Sequence, residues 1–171
     1  RAIIQNHGRD KLKEHGFSLH ACVLRPESRG WVKLKSSDPA MAPAINPNFL
    51  SDERDLHLLR DAARLMYRIA ETPPLSDMGA RDRSPIDYND DAALEARIRE
   101  VSDTIYHPVG TCRMGSDANS VVDPKLKARG VEGLWIADAS IMPRLVSGNT
   151  NAPSIMIGER AADFVKAELA A

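Results

Sequence analysis

The sequence lacks the turn that binds the pyrophosphate of a dinucleotide. None of its ten glycines falls in a Gly-x-Gly-x-x-Gly string, the motif that seats the pyrophosphate where a strand turns into a helix. A dinucleotide cofactor would therefore be bound mainly by residues outside these 171. Because the sequence also begins with Arg1 rather than Met, we interpret it as a piece of a longer protein.

Net charge and long apolar runs are also missing. The 23 basic and 24 acidic residues leave a formal charge of -1, which gives no electrostatic basis for binding nucleic acid or an anionic membrane surface. No apolar run approaches the roughly 18 residues that cross a bilayer, so we expect no transmembrane segment. We expect a cytoplasmic protein, with membrane association of the whole protein left open.

Cysteine is scarce and is not arranged for metal binding. Cys22 and Cys112 lie far apart in the sequence, so neither belongs to a short metal-binding motif, and we expect no metal site. The pair predicts two free, buried thiols in a reducing compartment, with a disulfide as the alternative.

Alternating apolar residues predict a pair of strands near the start of the chain. Residues 17–24 and 31–35 alternate, and the Arg25–Gly30 segment supplies turn residues between them, so we expect two antiparallel strands with a tight connection. The first 16 residues are interpreted as a weakly patterned opening segment. The proline-rich residues 36–48 are predicted to be irregular.

Helical periodicity follows in three places. Ser51 is the predicted cap of a helix that closes at Pro73-Pro74, and Asn89 is the predicted cap of a second helix that runs to Ile105. Pro153 is the predicted first residue of a third, C-terminal helix. Residues 134–137, which precede that helix, are predicted to form a buried strand with Asp138 at its end.

The densest chemistry lies in residues 106–115 and 147–153. His107 precedes a proline, which disfavours helix, so its imidazole is presented from a loop. The second segment combines glycine, asparagine and proline before an apolar helical run, so its amides are expected at a helix N-terminus. A proton acceptor and a helix N-terminus are useful partners only if the fold brings them together.

An ordered series of motifs carries a family resemblance. The strings HPVGTCRMG, GLWIADASIMP, GNTN and IMIGERAAD occupy residues 107–115, 133–143, 148–151 and 155–163. This series resembles the C-terminal part of the glucose-methanol-choline (GMC) oxidoreductases, and Asn149 places it nearer the bacterial alcohol and choline dehydrogenases than the sugar oxidases.

The resemblance implies an α+β fold and a division of labour along the chain. It implies an antiparallel substrate-domain sheet with helices, plus a C-terminal strand and helix that return to an FAD domain outside this sequence. Residues 1–105 would be the substrate-binding region, and residues 106–171 the active-site loop and the flavin-facing strand and helix.

The resemblance also implies roles for six residues and a cofactor, FAD. His107 and Asn149 would be catalytic: the imidazole takes the hydroxyl proton of a primary alcohol, choline-like or alkyl, and the amide orients its oxygen. Asp138, Ala139, Thr150 and Asn151 would contact the flavin. Taken without the family, Asp138 is a turn residue, and Thr150 and Asn151 cap a helix. Cys112, Arg113 and Met114 are interpreted as packing and salt-bridge residues around the loop.

Alternatives remain for the reaction. The family includes flavin-dependent hydroxynitrile lyases, which keep the histidine but carry out no net oxidation, and the 171 residues by themselves could be a non-catalytic substrate-binding module. Either oxygen or a quinone could be the electron acceptor. No role is predicted for His7, His15 or His57, and packing is favoured over substrate contact for His20.

Overall fold

Three α-helices, two short 3₁₀ helices and one two-stranded antiparallel sheet make up the regular structure of residues 15–170, the part of the chain that the computed structural model describes. The helices are α1 (Glu53–Ala70), α2 (Asp91–Val101) and α3 (Asn151–Leu169), and the strands are β1 (Trp31–Lys33) and β2 (Ala44–Asn46). The predicted α+β class is confirmed. His7 and all but two residues of the predicted opening segment lie outside the described residues.

The chain divides into two compact units that alternate along the sequence. Unit 1 comprises the described part of Arg1–Val23 together with Leu50–Asp103, and unit 2 comprises Leu24–Phe49 together with Thr104–Ala171. The functional division predicted between residues 105 and 106 is a separate assignment and stays a prediction.

Helices α1 and α2 form unit 1 around a small apolar core. Leu56 of α1 is buried with Leu94 and Ile98 of α2. Arg60 of α1 reinforces the pair by contacting Asp91 at 2.9 Å and Glu95 at 2.8 Å, both on α2. The apolar stripes seen in the sequence thus face each other across this helix pair.

Each of these helices is capped one residue later than predicted. Asp52, not Ser51, accepts a hydrogen bond from the Arg54 amide at 3.0 Å, and Asp90, not Asn89, accepts one from Ala93 at 3.1 Å. A carboxylate satisfies the free amides of the first turn and also interacts favourably with the positive end of the helix dipole. Helix α2 ends at Val101 instead of continuing to Ile105, since Ser102 is extended.

The predicted strand pairing is wrong. Residues 17–24 form no strand, and β1 pairs instead with β2, which lies in the proline-rich segment expected to be irregular. Gly30 permits this pairing, because a Cβ there would stand 2.2 Å from the Asn46 carbonyl oxygen. Alternation alone could not identify the partner, since backbone pairing depends on which segment approaches closely enough.

Unit 2 is organised by a core beneath α3. Its buried members are apolar residues from several loops and from the helix: Val122, Leu126, Ile141, Met142, Ile157 and Ala161. Residues 134–137 form no strand, and the single backbone bridge there joins Lys127 to Trp135. The predicted buried strand is therefore wrong: Trp135 and Ile136 pack against this core from half-buried positions, and Leu134 is exposed.

The cysteines confirm one expectation and correct another. Both are free thiols, as predicted, but Cys22 is exposed and Cys112 is half-buried. Cys22 is exposed because residues 17–24 form no strand and Cys22 belongs to neither apolar core.

Candidate active site

The His107 loop begins with a strained residue. Tyr106 has a φ of 65°, a left-handed conformation that is uncommon for a non-glycine residue, and its amide donates a hydrogen bond to the Thr104 hydroxyl at 2.9 Å. This tight turn, rather than a helix end as predicted, positions the half-buried His107.

The residues after His107 are fixed by backbone hydrogen bonds to a short 3₁₀ turn, Ala139–Ile141. The Cys112 amide donates to the Ser140 carbonyl at 3.0 Å, and the Met114 amide donates to the Ile141 carbonyl at 2.8 Å. Asp138 caps that turn by accepting from the Ser140 amide at 2.7 Å. Because Ile141 is buried in the core of unit 2, these hydrogen bonds attach the His107 loop to a well-packed part of the structure.

An ion pair closes the far end of this loop. Two nitrogens of Arg113 donate to the carboxylate of Asp117 at 2.9 and 2.7 Å. These bonds hold the pKa of the Asp117 carboxyl well below its usual range. Met114 packs against the core of unit 2, so the packing and salt-bridge interpretation of residues 112–114 accounts for Arg113 and Met114.

Helix α3 begins with a threonine that does not cap it. Thr150 occupies the N-cap position, yet its side chain makes no capping hydrogen bond and its backbone is helical. Its carbonyl accepts from the Ser154 amide at 3.0 Å and from the Ser154 hydroxyl at 2.6 Å. Pro153 is the third helical residue rather than the first, a position whose amide would also lack a partner within the helix.

The fold brings His107 and Thr150 together. The Nδ1 atom of His107 lies 3.1 Å from the Oγ1 atom of Thr150, across 43 residues of sequence. A histidine and the N-terminus of a helix therefore meet, which is the condition that the sequence set for a useful site. Asn149 precedes Thr150, so its Cα lies about 3.8 Å from that of Thr150.

The other predicted site residues have contrasting environments. Asn149, Asn151 and Asp138 are exposed, and Asn151 is the first residue of α3. Ala139 is half-buried and packs against the core of unit 2. One oxygen of Asp138 is occupied by its cap of Ser140.

Sequence reasoning missed the anchors of the loop before α3. Arg144 donates to Glu27 at 3.2 Å, and the Arg25 guanidinium donates to the Ser147 hydroxyl. Both contacts span more than 100 residues, and local patterns carry no signal for such pairs. The turn composition of residues 147–149 indicates a loop but not what holds it.

Residues 15–170 contain neither a metal-binding cluster of side chains nor a membrane-spanning helix. Among residues 15–170, no group of three or more histidine, cysteine or acidic side chains could hold a metal ion. No helix in that range is long and apolar enough to cross a membrane.

Comparison with known proteins gives the same family over most of the chain. A family model described as GMC oxidoreductase matches residues 26–158. The chain is 45% identical to an alcohol dehydrogenase [acceptor] of Pseudomonas putida over 163 residues, which is 95% of this chain and 30% of that protein. It is 44% identical to an oxygen-dependent choline dehydrogenase of Klebsiella pneumoniae over 164 residues, with the same coverage of both proteins.

Solved structures show the same fold. The formate oxidase of Aspergillus oryzae, in a structure concerned with its FAD modification, superimposes with a TM-score of 0.80 and 31% identity, covering 85% of this chain and 26% of that one. The fold and the sequence together assign this chain to a single family. It belongs to the GMC oxidoreductase family, and it spans about 30% of the length of the curated relatives that it matches.

Proposed function

We propose that this chain supplies the proton acceptor and the substrate-orienting amide of an FAD-dependent dehydrogenase that oxidises a primary alcohol, choline-like or alkyl, to the aldehyde. The observation that supports the proposal is the contact of His107 with Thr150, the residue that follows Asn149, at the start of α3. The named activities of the similar alcohol and choline dehydrogenases support this substrate class.

His107 is the proton acceptor in this proposal. Its ring contacts Thr150 through Nδ1, which leaves Nε2 for the alcohol. A neutral imidazole accepts a hydroxyl proton near physiological pH, whereas an amide cannot. Asn149 therefore orients the alcohol oxygen by donating a hydrogen bond, and His107 alone takes the proton.

The start of α3 is the part of this chain that we propose to face the electron-rich edge of a flavin. The Thr150 side chain does not cap the helix, and Asn151 and Ala152 are exposed, so the first-turn amides are placed to receive negative charge. We propose that these amides, with Thr150, Asn151, Asp138 and Ala139, form the chain's contacts to FAD. When bound, FAD supplies the acceptor for the hydride that leaves the alcohol carbon.

Other residues of unit 2 support the segments that carry the proposed base and amide. The Tyr106 turn and the 3₁₀ turn support the loop that carries His107, and Asn149 directly precedes Thr150, which His107 contacts. Such positioning converts the encounter of alcohol and base into a reaction within one complex. Most contacts to FAD would come from the part of the protein that precedes this chain in the longer relatives.

Anaerobic flavin reduction in the whole protein tests the proposal. We expect choline or an alkyl alcohol to bleach the flavin absorbance, and His107→Ala to slow the bleaching by about 10²- to 10⁴-fold, the usual contribution of a general base. His57→Ala is the matched control, because His57 is exposed on α1 in unit 1. An unchanged rate in His107→Ala would contradict the proposed base.

The same assay separates the alternatives. A protein that holds flavin, is bleached by no alcohol and releases cyanide from a cyanohydrin would be a lyase rather than a dehydrogenase. Reoxidation of the reduced flavin by oxygen or by a quinone identifies the electron acceptor.

A further inference from the structure

We propose that Thr150 is a positioning residue that fixes the tautomer and the orientation of His107, so that the lone pair on Nε2 faces the substrate. This inference rests on the proposed function, since it gives a purpose to the contact between the two side chains. It assigns Thr150 a task that its hydroxyl performs within the protein, in addition to the proposed contact of its backbone with the cofactor.

The distance is that of a hydrogen bond. The two atoms, Nδ1 of His107 and Oγ1 of Thr150, are 3.1 Å apart, and a hydroxyl can either donate to or accept from an imidazole nitrogen. If the hydroxyl donated, the ring proton would sit on Nε2 and that atom could not take a proton from an alcohol. A base at Nε2 therefore requires Nδ1–H to donate and Thr150 to accept.

Thr150 does not cap α3, although it occupies the N-cap position. Threonine at an N-cap normally accepts a hydrogen bond from an amide of the first helical turn. Thr150 makes no such bond, and its ψ of -1° differs from the extended backbone of a capping residue. The hydroxyl contacts His107 instead. The start of α3 therefore lacks the stabilising hydrogen bond that a capping side chain would supply.

The acceptor is held on a rigid element. Ser154 donates two hydrogen bonds to the Thr150 carbonyl, from its amide and from its hydroxyl. One turn further on, Ile157 is buried in the core of unit 2. A hydroxyl fixed in this way can orient an imidazole, as partners of catalytic and metal-binding histidines do through the second ring nitrogen.

Two variants separate the hydroxyl from the shape of the side chain. Thr150→Val keeps the branched shape and loses the hydroxyl, whereas Thr150→Ser keeps the hydroxyl and loses a methyl group. In the whole protein with FAD bound, we expect Thr150→Val to slow anaerobic flavin reduction by about 10- to 100-fold, the size expected for a hydrogen bond to a group that becomes charged. Thr150→Ser should retain most of the rate.

A double-mutant cycle tests whether Thr150 acts through His107. If it does, Thr150→Val should have little further effect in a His107→Ala background. An effect of the same size in both backgrounds would overturn the proposal, as would a normal rate in Thr150→Val. FAD content and melting temperature, compared between the Val and Ser variants, identify a loss caused by misfolding, and Thr150→Ala then replaces the Val variant in the same cycle.

The outcomes also distinguish failure of this inference from failure of the proposed function. A normal rate in His107→Ala removes the base itself and therefore the proposed function. A slow His107→Ala beside a normal Thr150→Val leaves the base in place and removes only the positioning role.

Discussion

Arg25 and Ser147 are joined by a hydrogen bond from the guanidinium Nε to the serine hydroxyl, across 122 residues of sequence. Ser147 has a φ of 63°, in the left-handed region that favours glycine. The contact therefore stabilises a strained backbone turn just before the catalytic Asn149 of our proposal.

Substitutions at Ser147 should separate the strain from the contact. Ser147→Ala loses the hydrogen bond and keeps the strain, so we expect a loss of about 1 kcal/mol in the free energy of unfolding. Ser147→Gly loses the same bond but relieves roughly 1 kcal/mol of left-handed strain, and should be close to neutral. Thermal melting of both variants measures the difference, and an alanine variant as stable as the glycine variant would contradict this account.

Asn149 should affect the chemical step without supplying a base. We expect Asn149→Ala in the whole protein to reduce the flavin reduction rate by about tenfold, the effect of losing one hydrogen bond to the alcohol oxygen. Asn119→Ala is a suitable control, since Asn119 is an exposed turn residue in the same unit. A loss as large as that of His107→Ala would mean that Asn149 does more than orient the substrate.

The ion pair of Arg113 and Asp117 should give stability that depends on pH. Hydrogen bonds from Arg113 lower the pKa of Asp117, so its contribution is fully present above the unfolded pKa of about 3.9 and is lost as the pH falls through the lower folded value. Asp117→Asn should therefore be less stable than the native protein at pH 7.

The difference in stability between the native protein and Asp117→Asn should narrow as the pH falls below about 4. Added salt should reduce the difference at pH 7, because the ion pair is exposed to solvent. Denaturant unfolding of both proteins over a pH series measures it. A difference that stays constant down to pH 2 would show that Asn disturbs the turn for another reason.

The helix pair of unit 1 should be sensitive to a cavity. Leu94 is 1% exposed between Leu56 and Ile98, so Leu94→Ala should lower the local opening free energy by about 2–5 kcal/mol. Leu58→Ala on the exposed face of α1, where Leu58 is 56% exposed, should cost far less. Hydrogen exchange of the α1 and α2 amides reads out this unit directly, and equal losses in the two variants would contradict the assigned core.

The helices could be predicted from the sequence because their signals are local. Caps, acidic first turns and apolar stripes lie within a few residues of one another, and the predictions erred by one residue at Ser51 and Asn89. The strands could not be predicted in the same way. Whether β1 pairs with residues 17–24 or with residues 44–46 depends on an approach that only the folded chain makes, with Gly30 against Asn46.

In the candidate site, as in the fold, local signals could be read from the sequence and long-range contacts could not. His107 and Asn149 were chosen from their motifs, and their roles stay predictions. The condition that the two segments lie together is met by the contact of His107 with Thr150. The identity of that contact was not predictable, because threonine before a helix normally signals a cap. Asp138 was assigned to a strand end that does not form, and its carboxylate caps a 3₁₀ turn instead.

The 43-residue separation of His107 and Thr150 also sets an order of events during protein synthesis. His107 leaves the ribosome well before Thr150, and the intervening loops must close against a shared core before the two can meet. A nascent or partly unfolded chain thus carries the histidine without its partner. In our proposal, the imidazole can therefore act as an oriented base only after these loops have folded.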